Sequence, residues 1–194
     1  MIGILIGLWL AAVLGGSAAL WQFSMAPGDP ASPPTKWPTN VSIPLAQDAY
    51  TIVMLMHPRC SCSRASLAEL AKIMTRLDGR AKASVLFLRP AGSDEDWEKT
   101  SLWSRAQAIP GVDAIVDDEG RLANLFGART SGQTLLYDAS GHLVFSGGIT
   151  GGRAHEGDNV GESRLVSLVM NGRADSDHSS VYGCELVDPK GSPN

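Results

Sequence analysis

Residues 2–21 hold no charged side chain and nothing more polar than a single serine: IGILIGLWLAAVLGGSAALW. At about 1.5 Å per residue such a run forms a helix about 30 Å long, the thickness of a bilayer's hydrocarbon core. The first element is therefore expected to be one membrane-crossing helix. Trp21 and Phe23 stand where an interfacial aromatic anchor belongs. The competing reading is a cleaved secretory signal, whose apolar region is shorter, about 7–15 residues, and ends at small side chains. Ser17-Ala18-Ala19 would serve as that site, but the length of the run favours an uncleaved anchor. No basic residue precedes it and Lys36 is the first to follow, so Lys/Arg asymmetry does not orient it.

Six of the eleven prolines fall within residues 25–44. Proline fixes φ and removes a backbone donor, so this stretch reads as a stiff, extended tether. The chain then divides into a transmembrane helix at 1–24, a proline-rich linker at 25–46, a globular domain at 47–172 and a tail at 173–194 carrying Cys184. A tether behind a single span is expected to hold the domain at a bacterial inner membrane, facing the periplasm. A net charge of −4 with no Lys/Arg block argues against nucleic-acid partners.

Within the domain, residues 50–56 (YTIVMLM) form a continuous apolar run suited to a buried strand. Apolar side chains recur at helical spacing over 63–77, with Gly79 as the stop. A second strand is expected at 83–88. Ser93 followed by Asp94, Glu95 and Asp96 predicts the start of a helix running to about Ala108. Residues 112–116 predict a third strand and 119–126 a short helix. The runs 134–137 and 142–146 flank Asp138-Ala139-Ser140-Gly141, a hairpin signal. A last helix is expected over 159–170. The order β-α-β-α-β-α-β-β-α predicts an α/β domain, a mixed sheet flanked by helices.

The chemistry concentrates where the first strand hands over to the first helix of the domain, in His57-Pro58-Arg59-Cys60-Ser61-Cys62-Ser63-Arg64. This segment resembles the active-site region of the thioredoxin-like superfamily, in which two cysteines end a strand and open a helix. The resemblance implies a thioredoxin-like fold, with Cys60 in the place of the nucleophilic cysteine, Ser63 in that of the resolving one, and Cys62 between them. The helix N-terminus directs unpaired N–H groups at the sulfur and favours its thiolate; Arg59, Arg64 and a protonated His57 would add to that field. Residues two apart on a helix diverge, so a Cys60–Cys62 bond is expected to be strained and oxidising, and requires Cys60 to lie just outside the helix. Cys184 is the other candidate partner, either resolving a mixed disulfide or clamping Cys62. Where thioredoxin-like proteins carry a proline facing the cysteines, this chain has Gly132, which puts the usual docking edge in question. Together with T-S-G-Q, L-L-Y-D and S-G-G-I-T-G-G-R-A-H-E-G-D-N, the motif also resembles the bacterial RedB-like group, which implies a membrane-bound redox protein.

The glycine-rich stretch at 147–159 carries His155 and Glu156. It reads either as a cover over the cysteines, with those residues tuning the thiols, or as a surface loop capped by Asp158 or Asn159. His142 and His178 read as solvated, and Met54 and Met56 as core. The leading expectation is a membrane-anchored thiol–disulfide oxidoreductase acting on protein partners, with Cys60, Cys62 and Cys184 catalytic, no cofactor, and His57, Ser63, Arg64, Gly132, His155 and Glu156 docking or tuning. The alternative is a Cu(I)- or Zn(II)-binding metallochaperone using Cys60, Cys62, Cys184 and His155, donors that suit both ions. A thiol peroxidase is disfavoured because His57 stands where such enzymes place a threonine, and no nucleophile elbow supports a hydrolase.

Overall fold

A computed structural model describes residues 2–186. The apolar run is one helix, α1 (Ile2–Met25), long and apolar enough to cross a membrane and exposed along its length. The domain follows with β1 (Tyr50–Met56), α2 (Ser61–Leu77), β2 (Ala81–Arg89), α3 (Ser101–Gln107), β3 (Val112–Asp118), α4 (Arg121–Leu125), β4 (Thr134–Tyr137), β5 (Leu143–Gly147) and α5 (Val160–Asn171). The strands form one mixed sheet in the order β3-β2-β1-β4-β5, with β1, β2 and β3 parallel and β4 antiparallel to both β1 and β5.

β1 is continuously apolar because both of its faces are covered. Ile52, Met54 and Met56 point into a core shared with Leu67, Leu70 and Ile73 of α2 and with α3 and α5. Val53 and Leu55 point the other way, onto Leu122 of α4 and Phe126 at its end. At about 25 cal/mol per Å² of apolar surface, burying side chains of this size contributes about 1.5–3 kcal/mol each, which makes β1 the axis of the domain. Its carboxyl end delivers residues 57–60 to the start of α2.

The helix expected over 93–108 is a correction: only Ser101–Gln107 is helical. The Thr100 hydroxyl caps it by accepting from Leu102 N. Upstream, Ser93 turns its hydroxyl onto Pro90 O and Asp96 is left-handed at φ 67°. Ser-Asp-Glu-Asp favours turns as well as helix starts, and here successive turns carry Trp97 over the motif. α2 begins at Ser61, two residues earlier than its apolar periodicity indicates.

The proline-rich stretch is extended and lies against the domain. Ser32 N donates to Gly127 O, Tyr137 Oη to Pro34 O, Leu143 N to Thr35 O and Trp37 N to Gly141 O, at 2.7–3.1 Å. Trp37 packs edge-on against Phe126 and Tyr137. Gly127 has φ 62°, and a Cβ there would sit 2.1 Å from Ser32 O, so glycine is required where the strap crosses. The tail passes along β5, where His178 bridges Ser146, and then over Gly147 and Gly148.

Candidate functional site

Cys60 is the N-cap of α2, in extended conformation (φ −97°, ψ 133°) just outside the helix, and no side chain caps it. A cysteine at the N-terminus of a 17-residue helix meets the positive end of the helix dipole, which in general favours a thiolate. Its partner is Cys184, across 124 residues of sequence, with the two Cα atoms 6.6 Å apart. Cys62 is a free, buried thiol, and the three sulfurs lie within 4.8 Å of one another. Of the two pairings open to Cys60, the structure therefore shows Cys184.

Around them runs a buried polar network. Ser63 Oγ donates to His57 O at 2.7 Å and lies 2.9 Å from Ser131 Oγ, which accepts from His57 N at 2.9 Å. Ser63 has one hydroxyl hydrogen and gives it to the carbonyl, so Ser131 is the donor between the two hydroxyls. Ser63, expected from the resemblance to stand in the place of a second cysteine, fastens α2 to the segment before β4. Gly132 follows with φ 90°, donates to Leu55 O, and faces Ser66 Oγ, which a Cβ would approach to 2.8 Å.

His57 is half-buried, its ring edge-on to Trp97 at 5.6 Å, and its Nδ1 accepts from Arg59 N. Burial first, and the Arg59 charge second, hold its pKa below the ordinary histidine value, so at neutral pH it adds no positive charge to the thiols. The Arg59 guanidinium lies 4.4 Å over the Trp97 ring, within cation–π range. Arg64 is exposed on a groove between α2 and α3 with Leu67, Ala71, Arg105 and Ile109.

His155 and Glu156 are both exposed and lie outside the sulfur cluster. The loop carrying them is fixed by Gly157 N donating to buried Glu69 Oε1 at 2.7 Å and by the Asn159 cap on Glu162 N. Its contribution to the site comes from Arg153, whose Nη1 donates to Gly183 O at 2.6 Å, beside Cys184. Arg153 N also donates to Ser24 O, and its guanidinium lies 4.9 Å over the Phe23 ring, so the end of α1 reaches the same segment. Ser131, Trp97 and Arg153 were missed as site residues. The sequence signals were the place of Ser131 in T-S-G-Q and that of Arg153 in the glycine-rich stretch read as a possible cover over the cysteines; Trp97 had none, since it arrives through successive turns.

No protein-family model matches the sequence, and no curated protein matches it. Among solved structures the chain is similar to an uncharacterized conserved protein from Geobacillus kaustophilus, with 15% identity, 85% of this chain and 94% of that one covered, and TM-score 0.58. It is also similar to a hypothetical protein, SMc02350, from Sinorhizobium meliloti 1021, with 19% identity, 84% and 94% covered, and TM-score 0.57. A third similar structure is the exposed lipoprotein thioredoxin Etrx1 from Streptococcus pneumoniae strain TIGR4, with 17% identity, 63% and 84% covered, and TM-score 0.46. By its own topology, a mixed sheet in the order β3-β2-β1-β4-β5 with the cysteine-bearing α2 directly after β1, the fold is thioredoxin-like. A mixed five-stranded sheet whose first strand feeds the cysteine-bearing helix, with β4 and its preceding glycine turn beside that strand, is the arrangement the motif implied.

Proposed function

We propose that this protein is a membrane-anchored thiol–disulfide oxidoreductase that acts on protein partners. The observation that carries the reading is the Cys60–Cys184 disulfide at the N-terminus of α2 with the Cys62 thiol beside it. In the reducing direction the Cys60 thiolate attacks a partner disulfide, one partner sulfur leaves as thiolate, and a mixed disulfide forms. The Cys184 thiolate then attacks Cys60 Sγ and releases the second partner thiolate, so the partner gains two electrons and the Cys60–Cys184 pair loses them. Run backwards, the same steps oxidise a partner dithiol. Ser63, Ser131 and Gly132 hold the geometry.

An inner-membrane, single-pass placement with the domain in the periplasm fits this chemistry. The apolar α1 supports the anchor, and a long-range disulfide persists on the oxidising side of a membrane. Similarity of the motif to the RedB-like group supports the same reading.

The sulfur cluster also supports a second reading. With all three cysteines reduced, three thiolates within 4.8 Å suit soft Cu(I) in trigonal coordination; Zn(II) would need a fourth ligand, and His155 is not at hand. Equilibration of the full chain in glutathione buffers separates the two. The oxidoreductase predicts one reversible two-electron transition at a potential in the range of catalytic dithiols, lost in Cys60→Ser. Stoichiometric copper bound by the purified chain with no reversible disulfide would support the metallochaperone instead.

A further inference from the structure

The segment that brings Cys184 to Cys60 is docked as a strand would be. Ser131 N donates to Cys184 O at 2.8 Å, Leu186 N donates to Arg129 O at 2.8 Å, and Glu185 bridges Thr130 in antiparallel sense. Backbone bonds thus run from Cys184 to Leu186 along the edge 129–131. Val181 and Leu186 are buried at the two ends of the segment. Gly183 lies so close to the edge that a Cβ would sit 1.9 Å from Ser131 O, and its carbonyl is held by Arg153. Beneath this segment Cys60 is only 5% exposed.

From this geometry we propose that residues 181–186 are a resident stand-in for the partner: a partner presents its cysteine on an extended segment with glycine immediately before it, pairs antiparallel with 129–131, and can do so only when the tail has left. The inference rests on the oxidoreductase reading and adds the substrate class to it. Main-chain pairing to an open edge supplies affinity without regard to sequence. The close approach at Gly183 supplies the selection, because any side chain there meets backbone rather than a flexible group.

The exchange balances. A partner thiolate attacks Cys60 Sγ, the Cys60–Cys184 bond breaks, Cys184 leaves as thiolate, and the tail yields the edge. In the other direction the Cys184 thiolate attacks Cys60 Sγ in the mixed disulfide, the partner sulfur leaves as thiolate, and the tail takes the edge as the partner vacates it. One edge cannot hold both chains, so return of the tail also completes product release.

The test uses the full chain in detergent micelles, reduced, carrying Cys184→Ser. The probes are two symmetric disulfide peptides, one with the sequence of residues 179–186 and one with alanine in place of its glycine, and glutathione disulfide as an undirected control. Formation of the Cys60 mixed disulfide is followed by mass spectrometry. The proposal expects the glycine peptide to react at least tenfold faster than the alanine peptide. It also expects a further several-fold gain with the glycine peptide when Gly183→Ala is added to the chain, dislodging its own tail. Equal rates for the two peptides would overturn the proposal while leaving the oxidoreductase reading intact, since glutathione disulfide still modifies Cys60. Failure of all three probes to modify Cys60 would overturn both. The two peptides are compared on one protein, so the result does not depend on how well the doubly substituted chain folds.

Discussion

Histidine beside a thiol usually invites the assumption of positive charge, and His57 shows why the surroundings decide. Its ring packs against Trp97 with Arg59 next to it, and both burial and charge disfavour the protonated form. Because the folded pKa lies below the unfolded one, the unfolded chain binds the proton first as pH falls. His57 therefore contributes full stability above its ordinary value near 6.5, and that contribution is lost as pH drops toward the folded pKa. An NMR titration of the His57 ring is expected to give a midpoint below 6.5 that rises in Trp97→Ala; an unchanged midpoint would detach Trp97 from the effect. At the same scale, Ser131→Ala removes the acceptor for His57 N–H inside a buried network. A cost of about 1–3 kcal/mol is expected by urea denaturation.

Between elements, the junctions carry the function. Gly132 bonds back to β1 and abuts α2 at φ 90°, so Gly132→Ala both strains the backbone and crowds Ser66. A loss of about 1–3 kcal/mol is expected, together with slower exchange at Cys60; Gly79→Ala, facing open space at φ 80°, is the comparison that isolates crowding from strain. The junctions also mark what was legible in advance. β1 and β4 have the bounds their apolar runs indicate, because a strand buried on both faces announces itself in composition. The 93–100 stretch deceived because Ser followed by acidic residues is shared by helix starts and turns; here the chain takes the turns, with Trp97 packed on His57 and Arg59. Cys60 was legible because local order placed it at a helix start. Its choice of Cys184 over Cys62 was not, because that depends on a path over Gly147 and Gly148 and onto 129–131, set by contacts distant in sequence.

Across the whole molecule, the end of α1, the strap, the loop and the tail converge on one place. The end of α1 meets Arg153, Arg153 holds Gly183, and Gly28 N donates to Val181 O, so the tail is clasped by the segment that leaves α1. A charge-assisted hydrogen bond of this kind contributes about 1.5–3 kcal/mol and is made to the docked, oxidised tail. Arg153→Ala is therefore expected to make the Cys60–Cys184 bond easier to reduce, by about 30–60 mV, in redox titration of the full chain. An unchanged potential would show that the clasp does not select the oxidised form. Removal of Cys184 also opens a loop of 124 residues, and Cys184→Ser is expected to lower stability by about 2–5 kcal/mol.

The most direct test is to map the disulfides of the full chain, purified without reductant and alkylated before digestion, with bound metal measured on the same sample. A Cys60–Cys184 bond, an alkylated Cys62 after unfolding, and no stoichiometric copper or zinc are expected. A Cys60–Cys62 bond, or three reduced thiols holding one equivalent of metal, would contradict that pairing.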